Sequence, residues 1–343
     1  MARDGEVKRA FTEDGPHRTH IGGQALVEGV MMRGSRSWAV AVREPDGHLH
    51  VEDHPLSSKG GRPAWLSWPL VRGCVAFVDS LALGFKALEI AANHAYADDE
   101  SQGSGDGADG KPQAQQDGDS SGEEPVFGKG EMALSLVLGI SLGVFLFVFA
   151  PAFISNLFVG SYENSPLAWN VVDGVVRIAV FVFYVWLIGR MKDIKRMFCY
   201  HGAEHKVIHC YEHGLALTPE NARRFPRFHV RCGTAFLIMV MVIAILVYTV
   251  VPLDALIAAW GLGQAASFAL LVVVRIALIP LIAGLSYEIT VKWAGSRPDN
   301  PLVRIVLWPG MQMQRLTTRE PDDSMLDAAA AAMESVIRSE CPS

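Results

Sequence analysis

Arg190-Met-Lys-Asp-Ile-Lys-Arg-Met-Phe-Cys-Tyr-His-Gly-Ala-Glu-His-Lys-Val-Ile-His-Cys-Tyr-Glu-His-Gly214 places histidines at 201, 205, 209 and 213. Residues four apart sit nearly above one another on a helix, with a drift of roughly 40° per step. One helix face is therefore expected to carry four imidazoles and two carboxylates, Glu204 and Glu212. Gly214 is the expected stop, since glycine tolerates the left-handed conformation that follows many helix ends.

Within this stretch, His201-Gly-Ala-Glu204-His205 has the form H-x-x-E-H, the inverted zinc-peptidase signature. Two imidazoles at i and i+4 hold one metal ion, and the neighbouring carboxylate reaches a water on it and takes its proton. The competing reading is a polar, surface-lying helix whose histidines are solvated. Gly202 is the discordant residue, because glycine inside a helix costs about 1 kcal/mol relative to alanine. A close backbone approach there, as by a bound substrate, is one way to account for it.

Outward from this stretch the chain reads as a membrane protein. It has 343 residues, half of them hydrophobic, with a mean hydropathy of +0.23. The net charge of −6 is concentrated in residues 98 to 124, and removing their nine acidic residues and Lys111 leaves about +2. That balance carries no nucleic-acid signal. Cysteines at 74, 199, 210, 232 and 341 are odd in number and scattered, the pattern of reduced thiols rather than a disulfide framework. Residues 1–20 are polar and lack the apolar core of a signal peptide, so internal helices are expected to direct insertion.

Four spans are expected: Met132 to Ile154, Trp169 to Gly189, Thr234 to Val251 and Ala265 to Ile289. Each has about the length needed for a hydrocarbon core of roughly 30 Å. The run Leu253 to Leu262 is too short to cross. The loops 155–168 and 251–264 contain no Lys or Arg, whereas residues 190–231 contain nine. Lys/Arg asymmetry thus predicts a multi-pass plasma-membrane protein with both termini and the histidine segment cytoplasmic. Arg177 and Arg275 lie near mid-span; Asp173 is placed to pair with the first.

The remaining segments divide into a flexible 1–20 and a cytoplasmic β element at 21–61, with a hairpin turn at Glu44-Pro-Asp-Gly47. An amphipathic interfacial helix is expected at 62–97, where Arg72, Asp79, Lys86 and Asn93 recur every seven residues. Residues 98–126 are an acidic, low-complexity linker expected to be disordered. A four-span membrane domain at 127–320 carries the His-rich loop 190–233, and a cytoplasmic helix occupies 321–343. The fold class is mainly α. Thr218-Pro219 is a helix start, and Asp322 and Asp323 suit the N-terminus of the last helix. Glu28 either points at the site or faces solvent. His229 and Cys232 are either further ligands or a local cap and a small apolar filler.

Several stretches in order resemble one family. They are Gly22-Gly-Gln-Ala-Leu-Val-Glu-Gly-Val-Met-Met-Arg-Gly34, Met191-Lys-Asp-Ile-Lys-Arg196, Tyr200-His-Gly-Ala-Glu-His-Lys206, Arg227-Phe-His-Val-Arg-Cys-Gly-Thr234, Gly284-Leu-Ser-Tyr-Glu288 and Leu316-Thr-Thr-Arg-Glu-Pro-Asp-Asp323. They are similar to the YqhQ-type family of bacterial membrane proteins, whose resemblance implies a metal-dependent enzyme without naming its reaction. The family pattern His-Pro-Arg-Cys-Gly is His229-Val230-Arg231-Cys232-Gly233 here, which keeps the possible ligands and relaxes the loop. The expected function is a membrane-embedded zinc hydrolase, with a peptidase as one form of it, acting on a membrane or protein substrate at the cytoplasmic face. His201, His205 and His229 are the expected ligands, with Cys232, Glu288 and His209 as alternates and Glu204 as general base. The alternative is a non-enzymatic assembly, regulatory or transport component with a structural metal site.

Overall fold

Glycine-punctuated apolar residues between 22 and 55 fold into one antiparallel sheet in the order β1 (Gly22–Leu26), β2 (Gly29–Arg33), β3 (Ser37–Arg43), β4 (Leu49–Pro55). The computed structural model describes residues 9–10, 15–17, 19–56, 63–96, 129–160, 165–251, 259–294, 297 and 300–340. The acidic linker, most of the N-terminal 20 residues and 252–258 of the short apolar run lie outside the described residues. Leu26 pairs with Gly29, so Val27 and Glu28 form a two-residue turn, in which Glu28 adopts φ 51°. The expected Pro45-Asp46-Gly47 turn joins β3 to β4. Gly47 sits at φ 88°, and the His48 N–H donates to Asp46 Oδ1 at 2.7 Å.

The helices are α1 (Val71–Ala95), α2 (Lys129–Val144), α3 (Ala150–Val159), α4 (Pro166–Ile188), α5 (Lys192–Glu212), α6 (Pro219–Ala222), α7 (Gly233–Val250), α8 (Gln264–Tyr287), α9 (Pro301–Thr317) and α10 (Asp323–Glu340). The sheet is buried on both faces. Val30, Met32, Ala39 and Ala41 pack against α5 and α10 through Ala203, Val207, Ala329, Ala332 and Met333. The alanines of α10 keep this contact close. Leu26, Met31, Trp38, Val40 and Val42 meet Ala87 and Ala91 of α1 on the other face.

Helix α1 has the expected amphipathic character with its polarity turned around. Gly73, Gly84, Ala87 and Ala91 face inward, while Val78, Leu81, Phe85 and Leu88 are exposed at helical spacing. The charges are held by neighbours. Arg72 grips Glu288 at 2.7 and 2.5 Å, and Lys86 lies 5.6 Å over the Trp38 ring. Gly73 and Gly284 bring α1 onto α8, since a Cβ on Gly73 would lie 2.8 Å from the Tyr287 side chain.

Three helical segments, Val137–Val159, Leu167–Ile188 and Val273–Ala294, are long and apolar enough to cross a membrane. The segment expected as the third of four spans is a shorter apolar helix, Phe236–Val250. The chain divides into two compact units, 98–181 and the combination of 1–97 with 182–343. In the first, Asp173 pairs with Arg177 at 2.7 Å, as the i,i+4 spacing predicts. Arg177 also donates to the Phe147 carbonyl at 2.8 Å, within a π-helical turn over Phe145–Phe149 where the regular ladder is interrupted. In the second, Arg275 lies 5.2 Å over the Tyr248 ring. Both arginines therefore have structural partners, and Arg275 lies near the start of the Val273–Ala294 segment rather than at its middle.

The end of α10 is tied to the β2–β3 turn. Glu340 accepts hydrogen bonds from the Ser35 N–H, the Ser35 hydroxyl at 2.9 Å and the Arg36 N–H at 3.0 Å. Burial opposes ionisation there, but these donors overcome it and hold the carboxyl below its ordinary value. A depressed carboxyl stabilises the fold fully above the unfolded value of about 4.3 and loses that contribution as pH falls through the folded value. Glu340→Gln should therefore cost about 1 kcal/mol at neutral pH. Thermal melts should show the difference between the two proteins closing as the medium is acidified below about pH 4.

Candidate metal centre

Helix α5 runs from Lys192 to Glu212 and ends as expected, with Gly214 at φ 68°. His201, Glu204, His205, His209 and Glu212 are all buried, so the solvated-face alternative does not describe this helix. His213 leaves the row, with Nδ1 2.8 Å from the His209 carbonyl and its ring against Phe225.

The imidazoles are aimed by the backbone of distant segments. His201 Nδ1 lies 2.8 Å from the Thr317 carbonyl at the end of α9, and His205 Nδ1 lies 2.6 Å from the Arg227 carbonyl. A carbonyl only accepts, so both Nδ1 atoms carry a proton and the Nε2 atoms are the ones turned to the site, from which an ion would displace any second proton. His201 Nε2 meets Cys232 Sγ at 3.2 Å. His205 Nε2 is buried with no nitrogen or oxygen partner and faces the same Cys232 sulfur. One ligand atom from each of His201, His205 and Cys232 lies within 4.8 Å of the other two. Two imidazoles and a sulfur are a donor set that suits zinc, and His205 Nε2 is the atom that an ion there would satisfy.

Electrostatics agree with this donor set. Burial alone would lower the His201 pKa, but the Cys232 sulfur beside it raises it to about 9. Burial would raise Cys232, yet His201 and His205 hold its thiol well below the ordinary value, favouring the thiolate that binds metals. Cys232 also immediately precedes α7, whose N-terminal dipole favours negative charge.

Glu204 lies beside this group and against β1. A Cβ on Gly23 would be 2.7 Å from Glu204 Cγ, and the Gly23 N–H donates to its carboxylate. Burial raises the Glu204 pKa, opposed by His205 and His201. Gly202 faces the chain itself. A Cβ there would run into the Arg319 carbonyl, and the Arg319 N–H donates to the Phe198 carbonyl at 2.8 Å. The close backbone approach is thus internal, made by the Leu316–Asp323 segment lying over the helix.

The remaining expected ligands go elsewhere. His229 groups with His209 and Glu212, again with ligand atoms within 4.8 Å of one another, and its ring centroid is 5.5 Å from that of His205. His209, an alternate, belongs to this second group. Burial and the surrounding cationic groups hold His229 well below its ordinary pKa, as a neutral imidazole. Glu288 is bound by Arg72 and belongs to neither group, because the chain at 288–294 lies against the start of α1. Glu28 ties the β1–β2 turn to α5 by accepting from Arg196 at 2.5 Å and from the Tyr200 hydroxyl at 3.3 Å. Asp322 caps α10 through the Met325 N–H at 3.0 Å, the role its position suggests.

Two supports had no clear sequence signal. Gln314 clamps the His229 backbone from both sides, accepting its N–H at 2.9 Å and donating to its carbonyl at 2.8 Å. Lys206 is buried and donates to the Arg223 and Phe225 carbonyls at 3.2 and 2.8 Å, bracing the loop that carries His229.

Fold and site together define a mostly helical protein with spanning-length apolar helices, a small N-terminal sheet and a buried His/Cys cluster. The chain belongs to the family described as "Protein of unknown function (DUF1385)", whose pattern matches residues 68–339. It is 31% identical over 321 residues to the uncharacterised protein YqhQ of Bacillus subtilis (strain 168), covering 93% of this chain and 92% of that one. No solved structure matches the chain.

Proposed function

We propose that this chain is a membrane-embedded, metal-dependent enzyme, a zinc hydrolase acting at the cytoplasmic face on a membrane or protein substrate. The observation that carries the reading is the convergence of His201, His205 and Cys232, with the buried His205 Nε2 lacking a nitrogen or oxygen partner. A zinc ion held there supplies Lewis acidity toward water and carbonyl oxygen. Three protein ligands leave one position for substrate, the pattern of catalytic rather than structural zinc. Thr317 and Arg227 hold the two imidazoles through their carbonyls, and Glu204 is the base that takes a proton from water. The three spanning-length helices and the shorter Phe236–Val250 together make four crossings. The nine Lys and Arg residues of 190–231 support a cytoplasmic histidine segment and cytoplasmic termini.

A second reading rests on the Gly23–Glu204 contact. Glu204 there braces β1, the metal is structural, and the protein is an assembly, regulatory or transport component. Glu204→Gln separates the two. Zinc content should stay unchanged while hydrolysis of a panel of peptide and ester substrates in nanodiscs falls at least about 100-fold. A zinc-loaded wild type as inactive as the variant rejects the hydrolase and leaves the structural site.

A further inference from the structure

We propose that the centre holds two divalent ions, the second bound by His209, Glu212 and His229. This rests on the reading of His201, His205 and Cys232 as the first site and extends it. The three residues are 0%, 0% and 4% exposed, and each offers a ligand atom within 4.8 Å of the others. Glu212 is the telling member. Its Oε1 accepts from the Thr19 N–H at 2.9 Å and from Arg231, while its Oε2 is buried with no hydrogen-bond partner. Arg231 meets the charge of this carboxylate, but the Oε2 atom is still out of water with no hydrogen bond, which is costly for a carboxylate oxygen. His205 Nε2 and Glu212 Oε2, both buried, fall one in each group.

The groups are neighbours. His201, His205 and His209 climb α5 at successive turns, about 5.4 Å apart. The His229 ring lies between the upper two, with centroids 5.5 Å from His205 and 4.9 Å from His209. The two groups are therefore adjacent, with His229 beside imidazoles of both. His209 is held by the Phe228 carbonyl through the opposite nitrogen, Nε2 at 2.9 Å, so Nδ1 is the atom it would offer. The donor sets differ, with two imidazoles and a thiolate at the first site and two imidazoles and a carboxylate at the second. The first selects zinc, whereas the second accepts harder ions such as manganese or iron(II) as well.

Arg231 is the group that opposes a second cation, since it contacts Glu212 and lies 3.2 Å from His229 Nε2. It holds Oε1 and sits on a loop outside the helices, and an ion bound at His229 Nε2 would require it to move off that atom.

Full-length protein, stripped in detergent with a chelator and reloaded with zinc, should bind two equivalents by elemental analysis after desalting. Glu212→Gln and His229→Asn should each bind one, with the far-ultraviolet circular dichroism of the wild type. If Glu212→Gln does not fold, the wild-type stoichiometry and paramagnetic coupling between two ions in the manganese-loaded protein carry the test. One equivalent in the wild type, lost in His205→Ala, overturns the second site and leaves the first. No bound zinc overturns both. Two equivalents that persist undiminished in folded Glu212→Gln and His229→Asn place the second ion elsewhere, for which Glu44, His50 and His94 offer the other three-residue group among the described residues.

Discussion

Gly202→Ala should destabilise the protein by at least about 3 kcal/mol, enough to remove most of it from the membrane fraction. Substitution in a helix interior ordinarily gains about 1 kcal/mol, because alanine has the higher helix propensity. Here the new methyl group would overlap the Arg319 carbonyl oxygen. That oxygen is backbone, and its segment is fixed at both ends. Arg319 donates from its N–H to Phe198 and from its side chain to the Gly189 carbonyl at 3.1 Å, while Asp322 caps α10. Overpacking that no side chain can relieve is among the costly core changes. Displacing this segment also moves the Thr317 carbonyl, so residual folded protein should bind metal weakly through His201. Gly143→Ala is the control, since nothing lies within 4 Å of its Cβ position. It should melt at or above the wild-type temperature. Equal melting temperatures for Gly202→Ala and wild type would mean that the Leu316–Asp323 segment does not lie against α5.

Cys232→Ser should weaken zinc binding by more than about 100-fold, exceeding the usual effect of outer-shell changes. Serine keeps the size but not the ionised sulfur, and its hydroxyl is a poor zinc ligand at neutral pH. The cobalt-substituted wild type should show sulfur-to-metal charge-transfer absorption, which the serine variant should lack. Neither effect is expected of Cys199→Ser or Cys210→Ser, whose thiols burial holds above their ordinary values. An unchanged cobalt spectrum in Cys232→Ser would remove sulfur from the ligand set.

Much of this arrangement was legible in the sequence because it depends on local chemistry. The four-residue spacing of His201, His205 and His209, the stop at Gly214, the hairpin at Pro45-Asp46-Gly47 and the Asp173–Arg177 pair each follow from backbone geometry within a few residues. What sequence could not rank was the distribution of ligands that arrive from elsewhere. His229 and Cys232 are three residues apart, and both were candidates to join the helix. Which one meets His201 depends on how Gln314 and Lys206 clamp the loop, and those contacts cross 85 and 19 positions. Glu288 was an alternate ligand by sequence, but Arg72, 216 positions earlier, claims it. Gly202 signalled a close approach correctly and its partner not at all, because a glycine reports only that space is needed. Helix α1 was recognised by its periodicity. That its small residues face the sheet and its bulky ones face outward follows from the flat packing surface that β3 offers, which spacing alone does not reveal.

The central claim is that buried imidazoles on α5 and the Cys232 thiolate bind a metal ion. Elemental analysis of the purified full-length protein against His205→Ala, both zinc-loaded and desalted, tests it most directly. The wild type should hold at least one tightly bound equivalent of zinc, and that equivalent should be lost in a variant that remains folded. A wild type that retains no metal, or a His205→Ala protein that retains as much as the wild type, would contradict it.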